Sequence, residues 1–261
     1  MRSLAIGATG MQAQQLNVEV ISNNLANSST NGFKRQRAEF QDLLYQNLRR
    51  IGSTSSDAGT ILPSGVQIGV GVRVGSVYRV MEQGNLTQTD NPLDMAINGN
   101  GFFAIKLPNG ETSYTRDGSF QLDPNGKIVT SNGYPLSPEI TIPPNVLSIT
   151  VSVQGQVQVT LANTTTPTTV GTVNLSSFPN FAGLEAIGDN LFLETPASGS
   201  PSTGAPGDKG YGSLLQGKVE TSNVNVVQEI TSLITAQRAY EMNSRVIKTT
   251  DEMMQTVGQL R

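Results

Sequence analysis

The sequence predicts a mixed α and β fold: a long helix at each end of the chain, paired in the manner of a coiled coil, with an antiparallel β domain inserted between the ends. Three observations predict it. Apolar residues recur every seven positions over residues 4–27, they do so again over a longer run near the C-terminal end, and Asn-Gly and Asp-Gly dipeptides stand at even spacing between them. With 261 residues the chain has length for one or two globular units and a sizeable core.

In the first helix Leu4, Met11, Val18 and Leu25 keep strict heptad spacing, Ala8 and Ile21 join the same face, and Gln12, Gln15, Glu19 and Asn23 fill the other. The run ends in Asn27-Ser28-Ser29-Thr30-Asn31-Gly32, all turn formers, so the helix is expected to stop near Ala26. Residues 34–92 read as a connecting region of extended segments and loops. It holds a short amphipathic segment from Phe40 to Leu48, a polar Gly-containing stretch over 52–65 and a Val/Gly alternation over 66–80.

Residues 93–215 read as the β-rich domain. Asn109-Gly110, Asp117-Gly118, Asn125-Gly126 and Asn132-Gly133 fall 8, 8 and 7 residues apart, and such pairs supply the positive φ angles of tight hairpins, which predicts a meander. Leu147, Ile149, Val151 and Val153 alternate with polar residues, and after Gln154-Gly155 the alternation resumes at Val157, Val159 and Leu161: a second hairpin with one buried face. Residues 195–213, crowded with Gly, Pro and Ser, are expected to form a linker.

At the C-terminal end Val219, Val226, Leu233, Tyr240, Ile247 and Met254 hold unbroken heptad spacing, widened by Ile230, Ala236, Ala239, Val246, Met253 and Val257. Neither Pro nor Gly interrupts residues 218–257, so a helix from about Asn223 to Gly258 is predicted, ~54 Å long at ~1.5 Å per residue. Residues 1–33 and 216–261 together then form a discontinuous helical assembly domain. A seam at each terminus favours pairing of the ends with each other or with copies of themselves.

Composition narrows the function. Charged residues are 14% of the chain, 17 basic against 20 acidic for a net charge of −3, while Asn, Gln, Ser and Thr number 89, so neutral polar groups replace charges over much of the surface. No stretch has the Lys and Arg to neutralise many phosphates, which argues against nucleic acid as a partner. Cys, His and Trp are absent, removing thiol and imidazole chemistry and the softest metal ligands, so an enzyme would have to work by carboxylates or by Ser and Lys. Asp90 and Asp94 flank a turn with nothing to split their pKa values, Gly69–Gly75 lacks the glycine spacing of a dinucleotide loop, and Asp123-Pro124-Asn125-Gly126 lacks the further ligands of a calcium loop. No catalytic, cofactor-binding or metal-binding residue is predicted. Lys34, Arg35 and Arg37 are expected on a solvated face, with contact to an acidic neighbour in an assembly as the alternative. The N-terminal apolar run is too short for a secretory signal, and no run of 18 apolar residues is present to span a membrane as a helix.

The segment ISNNLANSSTNGFK, residues 21–34, resembles the N-terminal signature of the rod and hook axial proteins of the bacterial flagellum: a helix ending in Asn-Leu-Ala-Asn, then Thr-x-Gly-Phe-Lys. Its residues here are Asn23, Asn24, Leu25, Ala26, Asn27, Thr30, Gly32, Phe33 and Lys34. Residues 219–254 are similar to the companion C-terminal signature, and residues 31–46, 62–72, 83–103 and 114–134 resemble the distal rod branch of that family, so the likeness spans nearly the whole chain. The resemblance implies a structural subunit of a helical polymer, with paired terminal helices as a coiled-coil-like inner layer around an export channel and the β domain as the outer layer. It implies passage through the flagellar type III export apparatus without a cleavable signal peptide, residence in the periplasmic basal-body rod, and contact with proximal rod, hook and P- and L-ring proteins. No cofactor is implied. Readings from other classes are a periplasmic hydrolase of cell-wall glycan and a secreted β-domain binding protein that does not polymerise.

Overall fold

The computed structural model describes residues 2–49, 64–162 and 166–259. Most of the polar stretch expected over 52–65 lies outside them, as does the side chain of Val257. The chain forms two compact units, one of residues 1–25, 36–78 and 225–261, the other of residues 26–35 and 79–224.

The first unit holds both long helices, α1 (Arg2–Ala26) and α2 (Val226–Gln259). The first stops at Ala26 as its turn formers predict. The second starts at Val226 because Asn225 caps it: the Asn225 side-chain oxygen accepts the N–H of Gln228 at 3.2 Å. Val219 is therefore not part of the helix. It lies in strand Lys218–Glu220 of the second unit, paired antiparallel with Leu86–Gln88 and 6% exposed, so the heptad count runs through a strand before the helix begins. The first unit's other described elements are strands: Gln36–Asp42 pairs with Val72–Arg79, and Tyr45–Arg49 pairs antiparallel with Val66–Gly69.

The second unit is built on a seven-stranded antiparallel sheet in the order Glu185–Gly188, Leu191–Leu193, Thr112–Thr115, Phe102–Lys106, Leu175–Ser177, Ser202–Gly204, with Leu136–Ser137 also pairing with Phe102–Lys106. Both faces of its central strand are covered. Phe103 and Ile105 enter a core with Met95, Ile97, Phe120, Leu136 and Val157, whereas Phe102 and Ala104 pack on the other side with Tyr114, Phe178, Leu184 and Phe192. A three-stranded sheet, Val146–Val151, Gln156–Leu161 and Thr168–Thr172, adds Val151, Val157 and Val159 to the first core.

Three of the four turn dipeptides act as predicted, with φ of 87°, 79° and 82° at Gly110, Gly126 and Gly133. Asp117-Gly118 does not make a hairpin. Its Gly118 backbone lies against Met95, whose N–H donates to the Gly118 carbonyl at 2.9 Å, so the chain leaves the sheet there and the predicted meander is broken. Residues 195–213 are not a linker either. They contribute strand Ser202–Gly204, bury Ser198 and lay Gly204 against the Tyr211 ring, so small residues there permit close approach. In the second hairpin Ile149 faces Val159 and Val151 faces Val157, but a bulge between Val146 and Ser148 turns Leu147 outward, to 72% exposure. The edge of that sheet is closed by Gln216, whose side-chain amide donates to the carbonyls of Ile149 at 2.8 Å and Pro92 at 2.7 Å and accepts the N–H of Val151 at 2.9 Å.

Candidate functional site

The helix pair is antiparallel. A Cβ at Gly7 would lie 2.9 Å from Ile247 and one at Gly10 would lie 2.9 Å from the Asn243 amide, while 14 residues further along α1 the Asn24 amide donates to the Glu229 carboxylate at 3.3 Å. The buried row of α1 holds Gly7, Ala13, Val20, Ile21 and Asn24, and it is small or polar where α2 approaches, at Gly7, Gly10 and Asn24. Of the predicted seam, Ile21 falls on this row. Leu4, Met11, Val18 and Leu25 stand beside it, half-buried, and Ala8 is exposed. Small residues let two backbones approach, so they and not the largest side chains set the rotation of the pair. On α2, Leu233 and Ile247 are half-buried, whereas Val226, Tyr240 and Met254 remain 39%, 41% and 42% exposed.

The N-terminal signature has two structural tasks. In the first unit Asn24 ties the helix end to the strand after it: its Nδ2 donates to the Gln36 carbonyl at 2.9 Å and its Oδ1 accepts the Gln36 N–H at 2.7 Å, as a paired strand would. In the second unit Gly32 takes φ +67° and donates its N–H to the Glu220 carbonyl at 2.7 Å. The turn before it is held by the Thr30 N–H and hydroxyl, both donating to Asn27. Asn24, Gly32 and Lys34 are buried, Leu25, Asn27, Thr30 and Phe33 half-buried, and Asn23 and Ala26 exposed.

Lys34 does not lie on a solvated face. It is 2% exposed, donating from Nζ to the Glu220 carboxylate at 2.5 Å and the Glu82 carbonyl at 2.7 Å. The other Glu220 oxygen lies 3.5 Å from the Arg116 guanidinium, which also donates to the Gly99 carbonyl at 2.7 Å and stands over the Phe102 ring. Burial pushes the Lys34 ammonium below the ordinary lysine range; Glu220 opposes the shift and Arg116 adds to it. Burial likewise lowers Arg116, with Glu220 opposing. Beside the cluster, the Arg35 N–H donates to Asn223 Oδ1 at 2.7 Å, and Asn223 Nδ2 donates to the carbonyls of Val80 and Glu82. Arg35 is half-buried with Glu82 at 3.4 Å; Arg37 is exposed, as expected.

Glu220, Arg116, Glu229 and Asn223 are the residues that sequence reasoning missed. Each lies within a recognised segment, and the opposed charges of Lys34 and Glu220 in the two terminal signatures were the available signal. The considered chemical motifs are local structure. The Asp94 carboxylate accepts from Thr89 and Asn91 at 2.7 and 2.8 Å, and Asp123 accepts the Asn125 N–H at 2.9 Å in a turn. Gly69 ends one strand, residues 72–75 begin the next, and residues 70–71 join them. Among the described residues no cluster of acidic side chains, His or Cys could hold a metal, and no helix is long and apolar enough to cross a membrane.

Comparison with known proteins matches the same segments. The family profile described as "Flagella basal body rod protein" covers residues 4–34, that of the "Flagellar hook protein FlgE/F/G D1 domain" covers 96–159, and that of the "Flagellar basal body rod FlgEFG protein C-terminal" covers 215–260. The flagellar basal-body rod protein FlgG of Caulobacter vibrioides is 60% identical over 261 residues, all of both chains. Its namesake in Agrobacterium fabrum is 50% identical, over 99% of this chain and 98% of the relative. That of Bacillus subtilis is 36% identical over 100% of this chain and 99% of its own.

Proposed function

The chain belongs to the flagellar basal-body rod protein family, and from that membership we infer that it is a structural subunit of the distal rod, self-assembling into a helical tubular drive shaft that carries torque to the hook and encloses the export channel. Under this reading its role is mechanical, without catalysis or cofactor. It is exported by the flagellar type III apparatus and works in the periplasmic part of the basal body. Its partners are further copies of itself, proximal rod and hook proteins, and the surrounding P- and L-ring proteins. The terminal segments carry assembly as the inner layer, and the β-rich part faces outward.

The observation that carries the self-assembly is the surface of α2. Val227 and Ile234 are 75% and 46% exposed, and Val246 and Met253 are 47% and 60% exposed. At about 100° per residue the second pair of positions lies roughly a quarter turn around the axis from the first. The contacts with α1 described above lie on another side of α2, at Glu229, Asn243 and Ile247. One helix with apolar rows on several sides suits a packed bundle of neighbours, and a repeated head-to-tail contact that does not close generates a helical filament. Burying each such side chain contributes roughly 1.5–3 kcal/mol, once per subunit.

Val227→Asp and Val246→Asp test this. Each should leave the circular-dichroism melting of the unpolymerised chain within a degree or so, abolish polymers in electron micrographs and abolish swimming. Polymers of normal yield from both variants would overturn the assignment of α2 to the assembly surface.

A further inference from the structure

The sheet-bearing unit is closed by two pieces of chain from opposite ends of the sequence. Lys34 and Glu220 are 186 positions apart, yet they are 2% and 1% exposed and in contact. Glu220 also accepts the Gly84 N–H at 2.8 Å and, through its carbonyl, the Gly32 N–H. Arg116, 5% exposed, faces the same carboxylate. Two cations thus share one anion, and among the described residues the ion pairs of both cations end on Glu220. The carbonyls of Glu82 and Gly99 each accept one hydrogen bond from these cations but supply no neutralising charge.

We propose that Lys34, Arg116 and Glu220 form a completeness latch: the sheet-bearing unit is held firmly folded only when Glu220 is present to neutralise the two cations that folding buries. An ion pair buried in this way adds little over a well-packed apolar substitute, whereas removing one member leaves an uncompensated buried charge that strongly opposes folding. The cluster is therefore weak as a stabiliser and strong as a condition. A chain is made from its N-terminal end, so Lys34 and Arg116 exist long before Glu220 does. The unit then opens readily until the segment that leads into α2 is available. This inference does not depend on the proposed role in the rod.

Hydrogen exchange on the unpolymerised full-length chain tests it. In Glu220→Gln, amide protection in Gln156–Leu161 and Leu191–Leu193, strands that hold no member of the cluster, should fall by about a hundredfold or more, because the whole unit opens. The triple variant Lys34→Met, Arg116→Met, Glu220→Met removes all three charges and should recover protection to within about tenfold of the natural chain, a rescue that a merely local packing role does not give. If Glu220→Gln fails to fold at all, the loss is complete and the triple variant still decides. Protection unchanged in the two strands of Glu220→Gln, or a triple variant as unprotected as the single one, overturns the latch.

Discussion

Gly32 shows how much one residue carries in this chain. Its φ of +67° is natural to glycine, and an added Cβ would lie 2.7 Å from the Asp117 nitrogen and 2.9 Å from the Arg116 carbonyl carbon, both main-chain atoms. The obstruction begins at Cβ. Gly32→Ala should therefore cost nearly as much as Gly32→Val, roughly 1–3 kcal/mol from the backbone angle and more from the clash. Urea unfolding followed by circular dichroism should show a lower midpoint for both with an unchanged slope. An alanine variant as stable as the natural chain would mean that the angle at this position is not the one described. The cost falls beside Lys34 and Glu220, so the glycine of the signature is fixed by what its neighbours must bury.

Between the two helices the roles of large and small side chains are reversed from those of a simple coiled coil. Replacing glycine inside a helix ordinarily gains about 0.5–1 kcal/mol by restricting the unfolded chain. Gly7→Val should instead lower stability by about 1–3 kcal/mol, because it drives a side chain into Ile247, whereas Ala5→Val on an exposed position should be nearly neutral. A melting temperature for Gly7→Val at or above that of the natural chain would refute the close approach. The existence and the first boundary of these helices were legible because heptad spacing and a run of turn formers are local signals. Their mutual rotation was not, since it depends on which glycines meet which partner 233 or 240 positions away. Three hairpin turns were legible for a local reason, the positive φ of Asn-Gly; Asp117-Gly118 was not, because its glycine answers to Met95, outside any turn. Lys34 was misread on similar grounds. Three basic residues in four look solvated until a carboxylate 186 positions on is brought beside one of them.

Taken whole, the molecule carries charge on only 14% of its residues, and the charges of α2 are mixed in sign: Glu229, Glu241, Asp251 and Glu252 against Arg238, Arg245 and Lys248. The only charged residues of α1 are Arg2 and Glu19. Polymer formation should therefore be governed by apolar burial. Raising salt from about 0.05 to about 0.5 M is expected to change the critical concentration by less than about threefold, since α1 has only two charges and the charges of α2 are mixed in sign and nearly cancel. Cooling should raise it, because hydrophobic stabilisation weakens in the cold. Sedimentation of polymer at two salts and two temperatures checks both; a steep salt dependence with no effect of cooling would mean that ion pairs hold the subunits together. One feature of the β unit bears on the same crowding of copies. At Ile149 and Val151 the free edge of a three-stranded sheet meets the amide of Gln216. An open edge is a template on which any extended stranger can lie down. Here a single side chain occupies the template on the Val146–Val151 strand like a stopper in a bottle, so that copies brought close by assembly find that edge already taken.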